Sequence, residues 1–175
     1  MSGSRPAPGL VERLAAARIG GTYNQYAHAD HLCERLTSYL EARADARLLL
    51  VGEAAGYRGA RVSGIPFTSE RQLTGTGPAE ATATIVHGVL DELGVEDDVL
   101  LWNVVPTHPG TPSSNRPPTS AEVEAGLPFV RELARRRRAL AIGRVAERAV
   151  GAPYVRHPSH GGAAAFRARL RECLT

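Results

Sequence analysis

Three short segments carry the residue types from which chemistry can be built: GEAAGY at 52–57, NVVPTHP at 103–109 and HPSHGG at 157–162. Together they supply a carboxylate (Glu53), a side-chain amide (Asn103) and an imidazole (His157). Each has an ordinary reading beside the chemical one. Glu53 is a surface charge or a turn cap, or the carboxylate of a site. Asn103 interrupts an apolar run, where a buried amide is unfavourable unless its donor and acceptor are both paired. It either pins a loop or reads a ligand bearing an adjacent carbonyl and N–H. His157, ahead of a proline, is a structural histidine or a donor. Phe67, in GIPF, is a loop anchor or a stacking platform. The run Arg135–Arg138 reads as a solvated face. Several common chemistries are excluded. The chain has no GxSxG nucleophile elbow and no GxGxxG after its first strand, and without lysine it has no GxxxxGK[ST] phosphate loop. His28, His31, His87 and His108 show no metal-ligand spacing with cysteine.

Four strands are expected to position these segments. Leu48–Val51 is a continuous apolar run stopped by Gly52, as a strand buried on both faces reads. VLLWNVVP, ALAIG and Tyr154-Val155 follow. Helices are predicted over 11–18, from Asp30 (stripe Leu32, Leu36, Tyr39, Leu40, Arg43), over about 78–93, from the capping box Thr119-x-x-Glu122, over 144–150, and through Ala163, Phe166, Leu170 and Cys173. Pro128 predicts a kink or a broken first turn. Residues 57–77 and 106–118 read as long loops, and 1–10 as a leader. The alternation implies an α/β fold: a three-layer αβα sandwich around a central, mostly parallel, four-stranded sheet. One domain over 1–175 is expected, with 1–30 forming a leader and N-terminal cap. Tyr23, Asn24, Gln25 and Tyr26 fit a structural cap better than a ligand contact. Ligands of such sheets bind beyond the carboxyl ends of the strands, where all three polar segments emerge.

Composition sets the class. The chain has 175 residues, 43% hydrophobic and 22% charged, which suits one domain with a sizeable core. No apolar run approaches the roughly 20 residues that span a bilayer. The N-terminal stretch lacks the apolar region of a secretory signal, so the cytoplasm is the expected compartment. Two cysteines, Cys33 and Cys173, are too few for a disulfide framework or a four-thiolate site, and free thiols are expected. All 21 basic residues are arginine and the net charge is +3. That reflects coding bias, or a polyanion matched by guanidinium geometry.

Six ordered motifs over roughly 45–170 resemble the uracil-DNA glycosylase superfamily. GEAAG resembles the GEAPG of the branch that usually carries an iron–sulfur cluster. GIPFTSE resembles its GxPF segment, LLWNVVP its strand bearing the base-reading Asn, and NRPPTSAEVEAGLPFVREL its NRxPxxxE…CxPFL helix. ALAIGRVA resembles its strand–turn–helix, and HPSHGG its HPS loop. The departures are as informative. The cluster cysteine of CxPF is Gly126, and two cysteines cannot make a four-cysteine cluster. The first helix and leader are therefore expected to supply the stability that the cluster gives elsewhere. The water-orienting aspartate of the best-known branch is replaced by Ala54, leaving Glu53. The tyrosine that rejects the methyl group of thymine is replaced by Gly56.

The resemblance implies base flipping and hydrolysis of an N-glycosidic bond, with no cofactor and no metal. Glu53 and His157 are the implied catalytic residues. Gly52, Ala54, Gly56, Tyr57, Phe67 and Asn103 are the implied base-binding ones. Arg116, Ser159, His160 and Gly161 are the implied DNA contacts, with His160 as the wedge and Gly162 adding a backbone amide. The expected partner is DNA containing a damaged base, with no membrane, and the expected state is a monomer. Gly56 implies room for 5-substituted uracils, hypoxanthine or xanthine. Two other classes stay open. One is a protein of this fold that binds extruded or single-stranded bases without cleaving them. The other is a hydrolase of free nucleosides or nucleotides, which would show no dependence on DNA length or salt.

Overall fold

The structure, a computed structural model, describes residues 9–174. Most of the leader expected at 1–10 lies outside the described residues. In chain order the elements are α1 (Leu10–Ala16), α2 (Asp30–Ala42), β1 (Leu48–Ala54), α3 (Ala60–Ser63), α4 (Glu70–Thr74), α5 (Ala81–Glu92), β2 (Val99–Val105), β3 (Gly110–Thr111), β4 (Ser114–Asn115), α6 (Ser120–Ala134), β5 (Arg138–Ile142), α7 (Arg144–Val150), β6 (Tyr154–Val155) and α8 (Ala163–Leu174). Short 3-10 turns lie at Gln25–Ala27 and Glu96–Asp98.

The central sheet has the order β2-β1-β5-β6, and every pairing in it is parallel. Its strands are apolar on both faces, so each alternates between two cores. Leu49, Val51, Leu100, Trp102, Val104 and Ala141 face one core, shared with buried residues of α1, α2, α6 and α7. Leu48, Leu50, Val99, Leu101, Leu140 and Ile142 face the other, shared with α5 and α8. This is the three-layer sandwich the sequence implies. β2 lies at an edge of the sheet, and the Tyr39 hydroxyl of α2 accepts the Leu101 N–H there at 2.8 Å. That edge group is thereby satisfied, and burial pushes the Tyr39 phenol upward.

Several local expectations change. The loop 57–77 contains the short helices α3 and α4, and 106–118 contains the two-residue hairpin β3–β4. Helices of four or five residues are too short to show a period in sequence. α5 starts at Ala81, because 75–80 are used to return the chain over the β1 turn. α6 runs unbroken through Pro128. Pro128 and Glu124, whose carbonyl loses its partner, both lie on the exposed face, where water replaces the missing bond. The capping box is present: Thr119 Oγ1 accepts the Glu122 N–H and Glu122 accepts the Thr119 N–H. The Arg135–Arg138 run is not simply solvated. Arg137 donates to the carbonyls of Leu133, Arg43 and Ala44, and Arg138 to that of Cys173.

The N-terminal segment is a staple. Leu10 and Leu14 are buried in the α6-side core. Asn24 donates to the carbonyls of Leu14, Ala15 and Ala17, and Gln25 to that of Pro106. Tyr26 donates to the Gly64 carbonyl at 2.9 Å. Tyr23 and His108 exchange both backbone hydrogen bonds at 2.9 Å. Segment 22–27 thus fixes the 106–108 loop and the end of α3.

Candidate active site

Among the described residues, a small inner cavity of about 70 Å³ lies at the carboxyl ends of β1 and β2. It opens into an outer one of about 310 Å³. Glu53, Ala54, Gly56, Glu80, Thr82 and His157 line both. The larger groove of about 680 Å³ lies elsewhere, between α2, α4 and α5, and contains no strand-end residue.

The register of β1 and β2 sets Gly52 beside Asn103. Asn103 is 3% exposed and lines the inner cavity, yet its side chain has no hydrogen-bond partner among the described residues. Both functions of the amide are open to the cavity, which suits a ligand that pairs both. Phe67 also lines the cavity, with a backbone φ of +52°. A non-glycine residue in this left-handed region costs about 1–3 kcal/mol, and such strain concentrates at functional sites. Here the loop imposes it. Ser63 Oγ donates to the Thr68 carbonyl at 2.6 Å, and the Thr68 N–H donates to the Ile65 carbonyl. Gly52 makes room for the result, since a Cβ there would overlap the Phe67 ring.

Beneath Phe67 lies a relay. His87 Nε2 is 2.9 Å from Thr68 Oγ1, and its Nδ1 is 2.8 Å from Glu96 Oε1. This ties the aromatic loop to α5 and the following turn. His108 plays a similar part at the β1 turn. Fully buried, its ring nitrogens lie 2.7 Å from the Ala55 carbonyl and 2.8 Å from that of Thr111.

His157 is half-buried, and the Ser159 backbone N–H donates to its Nδ1 at 3.2 Å. Nδ1 is therefore the bare nitrogen, and the proton of the neutral ring sits on Nε2. Burial first, then the neighbouring His160, lowers the pKa of this imidazole. Glu53, at the end of β1, has no hydrogen-bond or ion-pair partner among the described residues, and burial raises its pKa.

The remaining residues divide. Tyr57 stands outside the inner cavity, in a side recess with Arg58, Glu80 and Asn115, and its N–H donates to Asn115 Oδ1. Arg116 lines the outer cavity, but its guanidinium makes a bidentate pair with Glu122 at 2.7 and 2.8 Å. Ser159 Oγ lies between two imidazoles, 2.6 Å from His157 Nδ1 and 3.0 Å from His160 Nδ1. His160 is exposed at the tip of the loop with φ +51°, followed by Gly161 at +75°. Gly162 is fixed by close approach, since a Cβ there would overlap the His157 carbonyl.

One residue escaped the sequence reading. Glu80 lines the inner cavity, and its Oε1 would lie 3.1 Å from a Cβ on Gly56. The space expected beside Gly56 is thus occupied by a carboxyl group. In sequence, Glu80 looks like an ordinary acidic residue in the first turn of the helix expected over about 78–93.

A strand-end pocket with an unpaired amide, an aromatic wall, a carboxylate and a neutral imidazole suits a planar base bearing a carbonyl and N–H. The family model described as uracil DNA glycosylase superfamily matches residues 40–172. The chain belongs to that superfamily. Among solved structures it resembles SMUG2 of Pedobacter heparinus, with a TM-score of 0.68 and 11% identity, covering 94% of this chain and 96% of that one. That likeness shows a shared fold. A comparison with curated protein sequences gives no match.

Within the superfamily, this chain does not fit an iron–sulfur cluster. Its cysteines, Cys33 on α2 and Cys173 on α8, are both free thiols. At Gly126 a Cβ would overlap the Val104 carbonyl, so α6 packs on β2 too closely for a cysteine there. The staple of residues 10–27 precedes the range matched to the superfamily. Among the described residues no group of three or more His, Cys, Asp or Glu is placed to hold a metal ion. No described helix is long and apolar enough to cross a membrane.

Proposed function

We propose that this chain is a monofunctional DNA glycosylase that takes uracil, or a related deaminated or modified base, out of the DNA stack and hydrolyses its N-glycosidic bond. The observation that carries this reading is the Asn103 amide, 3% exposed and unpartnered at the inner cavity. Its N–H donates to O4 of uracil and its oxygen accepts from N3–H, a pattern that cytosine reverses. Phe67 stacks on the base, an interaction worth about 1–3 kcal/mol. His157 donates from Nε2 to O2, where negative charge grows as the glycosidic bond breaks. Glu53, ionised, orients a water toward C1′ and stabilises the cationic sugar. The water supplies hydroxyl to C1′, and the released base takes up a proton.

Arg116, Ser159, His160 and Gly161 make the DNA contacts in this reading. Arg116 acts through the N–H groups left over from Glu122, Ser159 and Gly161 meet phosphate, and His160 stands where the extruded base leaves a gap. The protein acts as one domain and as a monomer, in the cytoplasm, without a cofactor.

A second reading, binding of extruded or single-stranded bases without cleavage, is favoured by Ala54. This residue lines both cavities and carries no carboxylate. Glu53→Gln separates the two. Hydrolysis predicts a large rate loss with DNA binding retained, whereas a binding protein shows no base release before or after the change. Base release from lesion-bearing oligonucleotides, abolished by Asn103→Ala and by His157→Ala, tests the reading as a whole.

A further inference from the structure

We infer that Glu80 is the specificity-determining residue of the base pocket: its carboxyl group forms the wall facing the C5–C6 edge of a flipped pyrimidine and rejects a methyl group at C5. The inference rests on the glycosylase reading and adds a residue to it.

The assignment of the edge follows by elimination. In the pocket, N1 of a pyrimidine carries the sugar and lies toward the mouth. The edge running from O2 through N3–H to O4 is taken by His157 and Asn103, and one face by Phe67. The C5–C6 edge and the face opposite Phe67 remain, the face needing only small flat residues and the edge a side chain that reaches it. The cavity-lining residues not yet used are Gly56, Ala60, Glu80 and Thr82, with Ala54 beside them. Of the four, only Glu80 has a side chain both long and charged.

Glu80 is built into this position. It occupies the N-cap of the 12-residue α5, where a carboxylate ordinarily accepts backbone N–H groups, yet its side chain makes no capping bond. It turns over the β1 turn instead. A Cβ at Gly59 would overlap Oε2, and one at Gly56 would stand 3.1 Å from Oε1. Two glycines thus leave the room that the carboxyl fills. It has no hydrogen-bond or ion-pair partner among the described residues, so nothing in the resting fold explains its placement. It lines the inner cavity, the outer cavity and the side recess, so water reaches it from the mouth.

The selectivity follows from solvation. With uracil bound, C5–H leaves the carboxyl group its water. A methyl group at C5 displaces that water and offers no hydrogen bond in return, leaving a polar group buried and unpaired. Such discrimination is chemical as well as steric, so filling the same space with an apolar side chain should not preserve it.

The test compares single-turnover release of uracil and of thymine, each opposite guanine in otherwise identical duplexes. The proteins are the wild type and the Glu80→Gln, Glu80→Leu and Glu80→Ala variants. Binding to the same duplexes carrying non-hydrolysable 2′-fluoro nucleotides is measured in parallel, and the ratio of thymine to uracil is read in both. The ratio is expected to rise about tenfold or more in the Leu and Ala variants, the scale on which one methyl group is discriminated. In the Gln variant it should stay near the wild-type value. An unchanged ratio in Leu and Ala, in proteins that still bind the uracil duplex, overturns the proposal. If the wild type releases neither base, the glycosylase reading fails while the binding ratio still decides Glu80. Equal wild-type affinity for the two duplexes would then overturn it.

Discussion

Two acidic regions of the molecule treat the same side chain in opposite ways. Glu122, at the start of α6, is 2% exposed and saturated with donors. Arg116 meets it twice, and the N–H groups of Thr119 and Gly21 complete the set. Its pKa is lowered to about 2, with the Arg116 hydrogen bond as the largest cause. Glu53, at the end of β1, and Glu80, at the N-cap of α5, are only half-buried, have no partner among the described residues, and are pushed upward by burial. The first carboxylate holds loops 21, 116 and 119 in place. The other two make no such bonds and line the cavity beside the β1 turn. Unpaired polar groups at the pocket, set against paired ones around its rim, are the signature of a site organised for a ligand.

The largest effect that would break this contrast is at Asn103. Asn103→Ala is expected to lower base release about a thousandfold while the melting temperature holds or rises, because the amide has no protein partner to lose. A large fall in melting temperature would assign the amide to the fold instead. Next is Glu53→Gln, expected to lower the single-turnover rate about a hundredfold or more with duplex affinity retained.

Stability sharpens the contrast through opposite signs. Glu122→Ala breaks the capping box and leaves Arg116, Thr119 and Gly21 without their shared acceptor, so a loss of about 1–2 kcal/mol is expected in denaturant unfolding. The folded pKa of Glu122 lies below its unfolded value. Its contribution is therefore fully present above the ordinary carboxylate value of 4.5 and is lost as pH falls from there toward about 2. Glu53 and Glu80 run the other way. Their folded pKa values lie above the unfolded ones, so the favourable contribution exists at low pH and disappears as pH rises through the raised values. Glu53→Gln and Glu80→Gln should therefore raise the melting temperature slightly at neutral pH, a gain that vanishes in acid. The same shift makes the rate of base release fall on the acid side at a pH above the ordinary carboxylate value of 4.5.

The smallest effect is expected at His87, which acts on the pocket only through Thr68 and Phe67. His87→Ala should change kcat/KM less than about tenfold, on the scale of one lost hydrogen bond or two. The loss should fall mainly in affinity for the flipped base.

The two regions were unequally legible in the sequence. The sheet could be read because each strand is a short apolar run ended by a polar or glycine-bearing turn, and two-sided burial leaves no other pattern. Asn103 stood out because an amide inside such a run demands an explanation, and the Thr119–Glu122 box because its chemistry is local. Glu80 was not legible. Its role depends on how residues 75–80 fold back over Gly56 and Gly59, and no periodicity reports a contact between a turn and a loop more than twenty residues on. The pairing of Arg116 with Glu122 was hidden for the same reason, although both ends of it were in view. Gly56 reads as empty space because a glycine in sequence says only that its own side chain is absent.

The most direct measurement is a strand-cleavage assay across several salt concentrations. Labelled single- and double-stranded oligonucleotides would each carry one uracil, hypoxanthine, xanthine, 5-hydroxymethyluracil or mismatched thymine, with alkali cutting wherever a base has been lost. Cleavage is expected at uracil or a related lesion, weakened by salt and abolished by Asn103→Ala and His157→Ala. Intact strands at every lesion, with salt-sensitive DNA binding retained, would contradict it and make this member of the superfamily a binder of bases, with Ala54→Asp the first change to try.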